Sequence, residues 1–133
     1  MRKPISKELR KQVYDKYNGC CAYCGKEITL KEMQVDHATA YAQSIYGLKE
    51  SMDRVEQMIA DDSINSIDNL MPACRQCNFY KGGLDIENFR NRIKDTLENT
   101  CRSPFQVRLA MQYGIMTFKE WDGKFYFEKV ENN

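Results

Sequence analysis

Cys21-Ala22-Tyr23-Cys24 and Cys74-Arg75-Gln76-Cys77 are two Cys-x-x-Cys segments, and their pairing predicts how this chain folds. Each segment places two thiolates on one tight turn, so the two together offer four soft ligands in the tetrahedral arrangement that zinc prefers. A four-cysteine site leaves no coordination position for water or substrate, so its metal stabilises the fold rather than performing chemistry. We therefore predict a structural Zn²⁺ held by Cys21, Cys24, Cys74 and Cys77.

Disulfide bonds and ordinary buried thiols are the alternatives for these cysteines. The chain starts Met1-Arg2-Lys3-Pro4 without an apolar signal segment and has no apolar stretch of transmembrane length. A reducing cytoplasm is therefore the expected compartment, where paired thiols favour metal binding. Cys20 could replace Cys21 as a ligand, but only Cys21 keeps the two-residue gap to Cys24, and Cys101 is expected to be a small apolar filler.

The length of 133 residues suits a single domain over residues 1–133. The net charge is only +1, but it is unevenly distributed. Residues 1–31 hold eight Lys or Arg against three Asp or Glu, residues 32–69 hold two against eight, and residues 70–94 hold five against two. Both cysteine segments are therefore locally basic, which favours a phosphate-binding surface, although solvated charge runs are the plain alternative.

The spacing of apolar residues predicts the elements around the cysteine segments. Residues 7–17 have the four-residue spacing of a helix that Asn18-Gly19 ends. Residues 33–37 alternate like a strand, and Leu70-Met71 is predicted to pair with it, before a helix starts or continues at residues 78–81. A helical insertion over about residues 44–62 separates the two strands, and its apolar stripe consists of Leu48, Met52, Val55 and Ile59.

Residues 85–130 are predicted to add further helices and a β-hairpin. Asp85 is expected to cap one helix, and Ser103-Pro104-Phe105-Gln106 has the capping-box pattern of the next. Asp122-Gly123 is typical of a tight turn, so residues 115–121 and 124–130 are predicted to be the two strands of the hairpin. The aromatic residues of these strands are expected to pack across the hairpin, with stacking on nucleic-acid bases as the alternative.

Four polar residues near the cysteine segments are candidates for chemistry: Asp36, His37, Asn69 and Asn78. His37 is the only histidine, so it is the only imidazole that could act as a neutral base. A zinc-bound strand–strand–helix arrangement would bring Asp36 and Asn78 together, and their oxygens suit a hard ion such as Mg²⁺ or Mn²⁺. Consecutive strand residues face opposite sides, so Asp36 and His37 meet one phosphate only if the strand bends or bulges. Turn or capping roles are the alternatives for both asparagines.

In order along the chain, the sequence contains Cys21-x-x-Cys24, Asp36-His37, Asn69-Leu70, Cys74-x-x-Cys77-Asn78 and Lys81. This series resembles the signature of the HNH endonucleases of bacteria and phages. The resemblance covers roughly residues 10–90 and implies an α+β fold with a small zinc-stapled ββα-metal core. Two departures are Asn78, where many members have histidine, and the long segment between His37 and Asn69, which lacks the proline and glycine pair that many members carry.

By this resemblance, Asp36 and Asn78 are ligands of a catalytic Mg²⁺ or Mn²⁺, and His37 is the general base. Asn69 would hold the loop of the histidine by hydrogen bonding. Family members usually leave 5′-phosphate and 3′-hydroxyl ends. The expected location is the cytoplasm of a bacterium or of a phage-infected cell.

The resemblance therefore predicts a metal-dependent hydrolase whose partner is DNA, taken to be double-stranded, with no membrane partner. The predicted DNA contacts are Lys7, Arg10, Lys11, Arg75 and Lys81, of which Lys81 is expected to face solvent. A competing hypothesis is a zinc-knuckle DNA-binding or phage assembly protein whose nuclease site is vestigial. Binding alone would require none of Asp36, His37 and Asn78, which favours the enzyme.

Overall fold

The computed structural model describes residues 4–40 and 49–131, which form helices and one two-stranded antiparallel sheet. The prediction of an α+β fold is confirmed at this level. Contacts divide the described residues into two compact units, the first built from residues 4–40, 49–86 and 125–131 and the second from residues 87–124. A single domain over the whole chain stays a prediction. None of the described helices is both long enough and apolar enough to cross a membrane.

Helix α1 (Lys7–Asp15) opens the first unit. The Ser6 hydroxyl caps it by accepting a hydrogen bond of 3.1 Å from the Leu9 N–H, which satisfies one of the free donors at a helix start. Val13 is buried on its inner face, and the backbone turns left-handed at Asn18. The predicted helix and its stop are therefore confirmed, with the helix ending two residues earlier than expected.

The sheet consists of β1 (Gln34–His37) and β2 (Leu70–Ala73). The strands pair antiparallel, with Asp36 opposite Met71 and His37 opposite Leu70, so the predicted pairing is confirmed. Each residue of β1 has one partner in β2, so the paired strands contain no bulge. All four residues of β2 are buried, which makes this strand the centre of the first unit.

Helix α2 (Lys49–Ala60) and a 3₁₀ turn (Ser63–Asn65) connect the two strands. The helix lies inside the predicted insertion. Val55 of its apolar stripe is buried, whereas Ile59 is exposed, because only part of the stripe faces the core. Leu48 and the start of the predicted insertion lie outside the described residues.

Helix α3 (Arg75–Lys81) follows β2 directly. Cys74 caps its start, because the Cys74 thiol accepts a hydrogen bond of 3.4 Å from the Cys77 N–H. Gly82 ends the helix with a positive φ of 56°, as the predicted Gly82-Gly83 break requires. The helix begins earlier than expected and therefore contains the second cysteine segment.

The second unit is helical. Helix α4 (Ile86–Arg92) continues into a π-helix (Ile93–Asn99) and a 3₁₀ turn (Thr100–Arg102), and α5 (Phe105–Gln112) follows. The predicted capping box at the start of α5 is wrong. The Ser103 hydroxyl donates back to the Thr100 carbonyl at 2.7 Å, and no side chain caps α5.

The predicted C-terminal hairpin is wrong as well. Residues 116–122 have no regular structure, and residues expected in its second strand form helix α6 (Tyr126–Glu131). The Glu128 carboxylate accepts from the Phe125 N–H at 2.9 Å, as a capping box does at a helix start. Phe125, 1 % exposed, packs its ring edge-on against Tyr23 with centroids 5.4 Å apart. Packing against the first cysteine segment therefore overrides the strand preference of these aromatic residues.

Substituting Gly25 tests this contact between α6 and the first cysteine segment. Gly25 has a φ of 81°, and a Cβ there would lie 2.7 Å from Cδ1 of Tyr126. Gly25→Ala is expected to destabilise the protein by about 1–2 kcal/mol through the backbone and by about 1–3 kcal/mol more through overlap. Gly114→Ala is the matched control, since Gly114 has a φ of 71° with nothing within 4 Å of its Cβ position. Urea unfolding of both variants checks the prediction, and equal losses would contradict it.

Candidate metal centre and functional site

The two cysteine segments converge on one cluster. The sulfur atoms of Cys21, Cys24, Cys74 and Cys77 all lie within 4.8 Å of one another, and those of Cys24 and Cys74 are 3.9 Å apart. Zn–S bonds of about 2.3 Å in a tetrahedron require sulfurs about 3.8 Å apart. The cluster therefore has the dimensions of a four-thiolate metal site, and it contains Cys21 rather than Cys20.

Backbone hydrogen bonds fix the two halves of this cluster. The turn of the first segment closes where the Gly25 N–H donates to the Cys21 carbonyl at 2.9 Å. This turn is tied to β2 where the Ala22 N–H donates to the Pro72 carbonyl at 2.8 Å. The second segment leaves β2 at once and forms the first turn of α3. The cluster therefore joins the first turn, β2 and α3 into one body.

The thiols of the cluster differ in acidity. The hydrogen bond that Cys21 receives from the Cys77 thiol lowers the pKa of Cys21 to about 5 and raises the pKa of Cys77 above its usual range. Burial raises the pKa of Cys24 to about 11. One thiolate is therefore already favoured at neutral pH, and a bound metal would displace the protons of the others.

Asp36 lies in a buried polar cluster beside the cysteines. Its carboxylate is 5 % exposed and accepts a hydrogen bond from the Tyr23 hydroxyl. The Lys81 ammonium is fully buried 3.1 Å from Oδ2 of Asp36, and it donates to the His37 carbonyl at 3.0 Å. Burial raises the pKa of Asp36, and the Lys81 charge opposes that rise. The expectation that Lys81 faces solvent is therefore wrong.

His37 is the last residue of β1 and is held differently. Its Nε2 lies 2.9 Å from Oδ1 of Asn65, in the 3₁₀ turn before β2. The Asn65 amide therefore holds the imidazole by this ring nitrogen. Because β1 is regular, the side chains of Asp36 and His37 leave the strand on opposite sides.

Asn69 ties the segment after His37 to the residues before β2. Its Oδ1 accepts from the Thr39 N–H at 2.8 Å, and its Nδ2 donates to the carbonyls of Thr39 and Ile64 at 3.0 and 2.7 Å. The backbone adds a further bond of 2.9 Å from the Ala38 N–H to the Asn69 carbonyl. These bonds fix the position of the chain where it leaves β1.

Asn78 is partly buried in α3, three residues before Lys81. Residues three apart in a helix lie on the same side, about 5–6 Å apart at Cβ. Since Lys81 reaches Asp36, the side of α3 that carries Asn78 faces β1. Asn78 therefore lies one helical turn before the lysine that contacts Asp36.

The other predicted DNA contacts lie at different places. Lys7 and Arg75 are exposed, and Lys11 pairs with Asp15 at 2.8 Å on the surface of α1. Arg10 donates its guanidinium to the carbonyls of Leu30 and Met33 at 2.6 and 2.7 Å, so it supports a loop of the protein. Their contacts with DNA stay predictions.

Sequence reasoning missed two partners of the candidate site. Tyr23 binds the carboxylate of Asp36, and Asn65 binds the ring of His37. Tyr23 stands inside the first Cys-x-x-Cys segment. The predicted cysteine cluster and the predicted sheet together bring this segment close to β1, so they could have suggested a contact between Tyr23 and Asp36. No local pattern links Asn65 with a histidine 28 residues earlier.

Comparisons of this chain with protein-family models, with curated proteins and with solved structures give no match.

Proposed function

We propose that this protein is a metal-dependent DNA endonuclease whose cysteine cluster holds a structural Zn²⁺. The observation that carries the proposal is the contact between Asp36 of β1 and Lys81 of α3. Asn78 lies one helical turn before Lys81 on α3, so its amide oxygen would join the buried carboxylate of Asp36 as a second oxygen donor. Such a donor set suits Mg²⁺ or Mn²⁺.

The oxygen atoms of Asp36 and Asn78 would suit a cation, and the Lys81 ammonium already places a positive charge beside the Asp36 carboxylate. A buried carboxylate requires a counter-charge, and the Lys81 ammonium supplies it at 3.1 Å. A divalent cation bound by Asp36 and Asn78 would compete with this ammonium, whose flexible four-carbon stem allows it to move aside. When bound, the cation would supply positive charge for the phosphate oxygens and the leaving oxygen.

The protein's own groups would then prepare the attack of water on a phosphodiester bond. Asn65 orients the imidazole of His37, which as a neutral base would take the proton of the attacking water. Asn69 and Lys81 hold the backbone that follows the ring, at Thr39 and at the His37 carbonyl. Hydrogen bonds therefore hold the ring of His37, its carbonyl and the backbone at Thr39, which limits motion of the imidazole before reaction.

The preference for zinc in the cysteine cluster rests on ligand chemistry. Four sulfurs within 4.8 Å of one another match a small tetrahedral ion with soft ligands. Since four protein ligands close the coordination shell, this ion would keep the first cysteine turn, β2 and α3 in place and would not touch the substrate.

Cleavage of supercoiled plasmid tests the endonuclease. We expect the purified protein to nick or linearise the plasmid with added Mg²⁺ or Mn²⁺, and not in buffer without either ion. His37→Ala should lower the rate at least about a hundredfold, because it removes the base that accepts the proton of water. The variant should keep its bound zinc, its thermal transition and its affinity for DNA. A His37→Ala variant that cuts as fast as the parent protein would refute the assignment of the base.

A DNA-binding protein without nuclease activity is the second candidate, and two observations favour it. The Asp36 carboxylate already has a counter-charge and a hydroxyl donor, and regular pairing of β1 turns Asp36 and His37 to opposite sides. In this case the folded, zinc-loaded protein would bind DNA and cut neither single- nor double-stranded substrates with either ion. Magnesium titration of Lys81→Ala distinguishes the two candidates, since removal of the competing ammonium should strengthen Mg²⁺ binding only if Asp36 is a ligand.

A further inference from the structure

A basic pocket lies on the surface of the first unit, beside the cysteine cluster. It has a volume of about 340 Å³, and its lining includes Lys26, Lys31 and Arg75 together with Glu32 and Gln34. The volume lies at the lower end of the range typical of small-ligand pockets, about 300–1,000 Å³. The pocket can therefore take a phosphate with its sugar but not the width of a duplex.

The charge of this pocket is unbalanced. Lys26, Lys31 and Arg75 are exposed, and no described residue forms an ion pair with any of them. The only carboxylate of the lining, that of Glu32, accepts from the Thr29 N–H at 3.4 Å within its own turn. Three cations with one carboxylate between them attract an anion, and exposed lysine and arginine are the usual contacts to DNA phosphates.

The walls of the pocket are held in place. The first wall follows the cysteine turn, where the Cys21 N–H donates to the Lys26 carbonyl at 2.8 Å. The second is the loop of residues 30–33, whose carbonyls at Leu30 and Met33 accept from Arg10. The third is the start of α3 at Cys74, itself a member of the cluster. A pocket fixed in this way binds an anion without the cost of ordering its walls.

The position of the pocket connects it with the candidate site. Gln34 lines the pocket, and the side chain of Asp36, two residues later in β1, leaves the strand on the same side, about 7 Å away at 3.4 Å per residue. We propose that the pocket binds a backbone phosphate of DNA next to the phosphate that a cation at Asp36 would hold. The inference takes its ligand from the proposed function.

Binding measurements on a charge-neutralised pocket test the inference. The variant is Lys31→Gln with Arg75→Gln, and the control is Lys119→Gln with Lys124→Gln, which removes the same charge from exposed residues of the second unit. Each is combined with His37→Ala and titrated against a short labelled duplex without added Mg²⁺ or Mn²⁺. We expect the pocket variant to bind about tenfold more weakly and to lower the slope of log Kd against log salt by about 2. The control should change the affinity by less than about twofold.

The outcomes separate this inference from the endonuclease. If the pocket variant and the control bind DNA equally, the pocket inference is overturned, whether or not the parent protein cuts. If the pocket variant alone loses affinity for DNA while no condition gives cleavage, the pocket inference is supported and the proposed endonuclease activity is refuted. Titration with inorganic phosphate is the second arm. Phosphate binding that is lost in the pocket variant, with equal duplex affinity in both variants, would assign the pocket to a free anion and overturn its role in DNA binding.

Discussion

Cys74→Ala is expected to release the bound metal and to unfold the first unit. The Cys74 sulfur belongs to the four-cysteine cluster, and this cluster joins the first cysteine turn to β2 and α3. Binding of structural zinc contributes about 10–16 kcal/mol in small zinc domains, as much as the whole stability of a typical domain. Elemental analysis should find close to no zinc in the variant, and thermal unfolding should lose the cooperative transition of the first unit.

Three further variants show whether the metal is the cause. Cys74 also caps α3, and loss of a cap costs only about 1 kcal/mol. Cys74→Ser keeps an oxygen that can cap the helix but removes the soft ligand, so it should also lose zinc. Cys20 and Cys101 lie outside the cluster, so the Cys20→Ala and Cys101→Ala variants should keep the full amount of zinc. A folded Cys74→Ala protein with one zinc per chain would refute the cluster as the zinc site.

Lys81→Met is expected to destabilise the protein by about 3–5 kcal/mol. The substitution keeps most of the volume of a fully buried side chain but leaves the Asp36 carboxylate, 5 % exposed, without its counter-charge. It also removes the donor to the His37 carbonyl at the end of β1. The free energy of unfolding in urea, without added Mg²⁺ or Mn²⁺, measures the loss.

A second substitution at Asp36 isolates the charge. Asp36→Asn alone leaves the Lys81 ammonium buried and unpaired, whereas Asp36→Asn with Lys81→Met leaves no buried charge. The double variant should therefore be more stable than the sum of the two single losses predicts. Lys11→Met is the control, because the Lys11–Asp15 pair is more than half exposed and should contribute less than about 1 kcal/mol. If Lys81→Met costs no more than this control, the buried pair does not exist in solution.

Local spacing was enough to predict the elements that carry the site. The two-residue gap in each cysteine segment identified all four members of the cluster, including the choice of Cys21 over Cys20. Alternation around Val35 and the short apolar run at Leu70 predicted the sheet and its pairing. These features depend on neighbours in sequence, so the sequence contains them directly.

The errors concern residues whose surroundings come from distant parts of the chain. Lys81 follows Asn78 on a helix that could have faced solvent, and only its packing against β1 buries it. Phe125 and Phe127 are good strand residues, but contacts with Tyr23 place them at a helix start instead. Asn65 reaches His37 across an insertion whose path no local pattern describes. Burial and partners at long sequence separation are set by tertiary structure, which overrides local preference.

Helix α6 has a consequence for the order in which the chain can fold during synthesis. The Tyr126 and Phe127 N–H groups donate to the Tyr23 and Ala22 carbonyls at 3.1 and 2.8 Å, so late residues complete the surroundings of the first cysteine turn. The whole of residues 87–124 is made between these two parts. A ribosome that has passed Cys77 has supplied every metal ligand but has not yet supplied Phe125. A metal held by the four cysteines would therefore bind to a growing chain whose core stays incomplete until residues 125–127 are made.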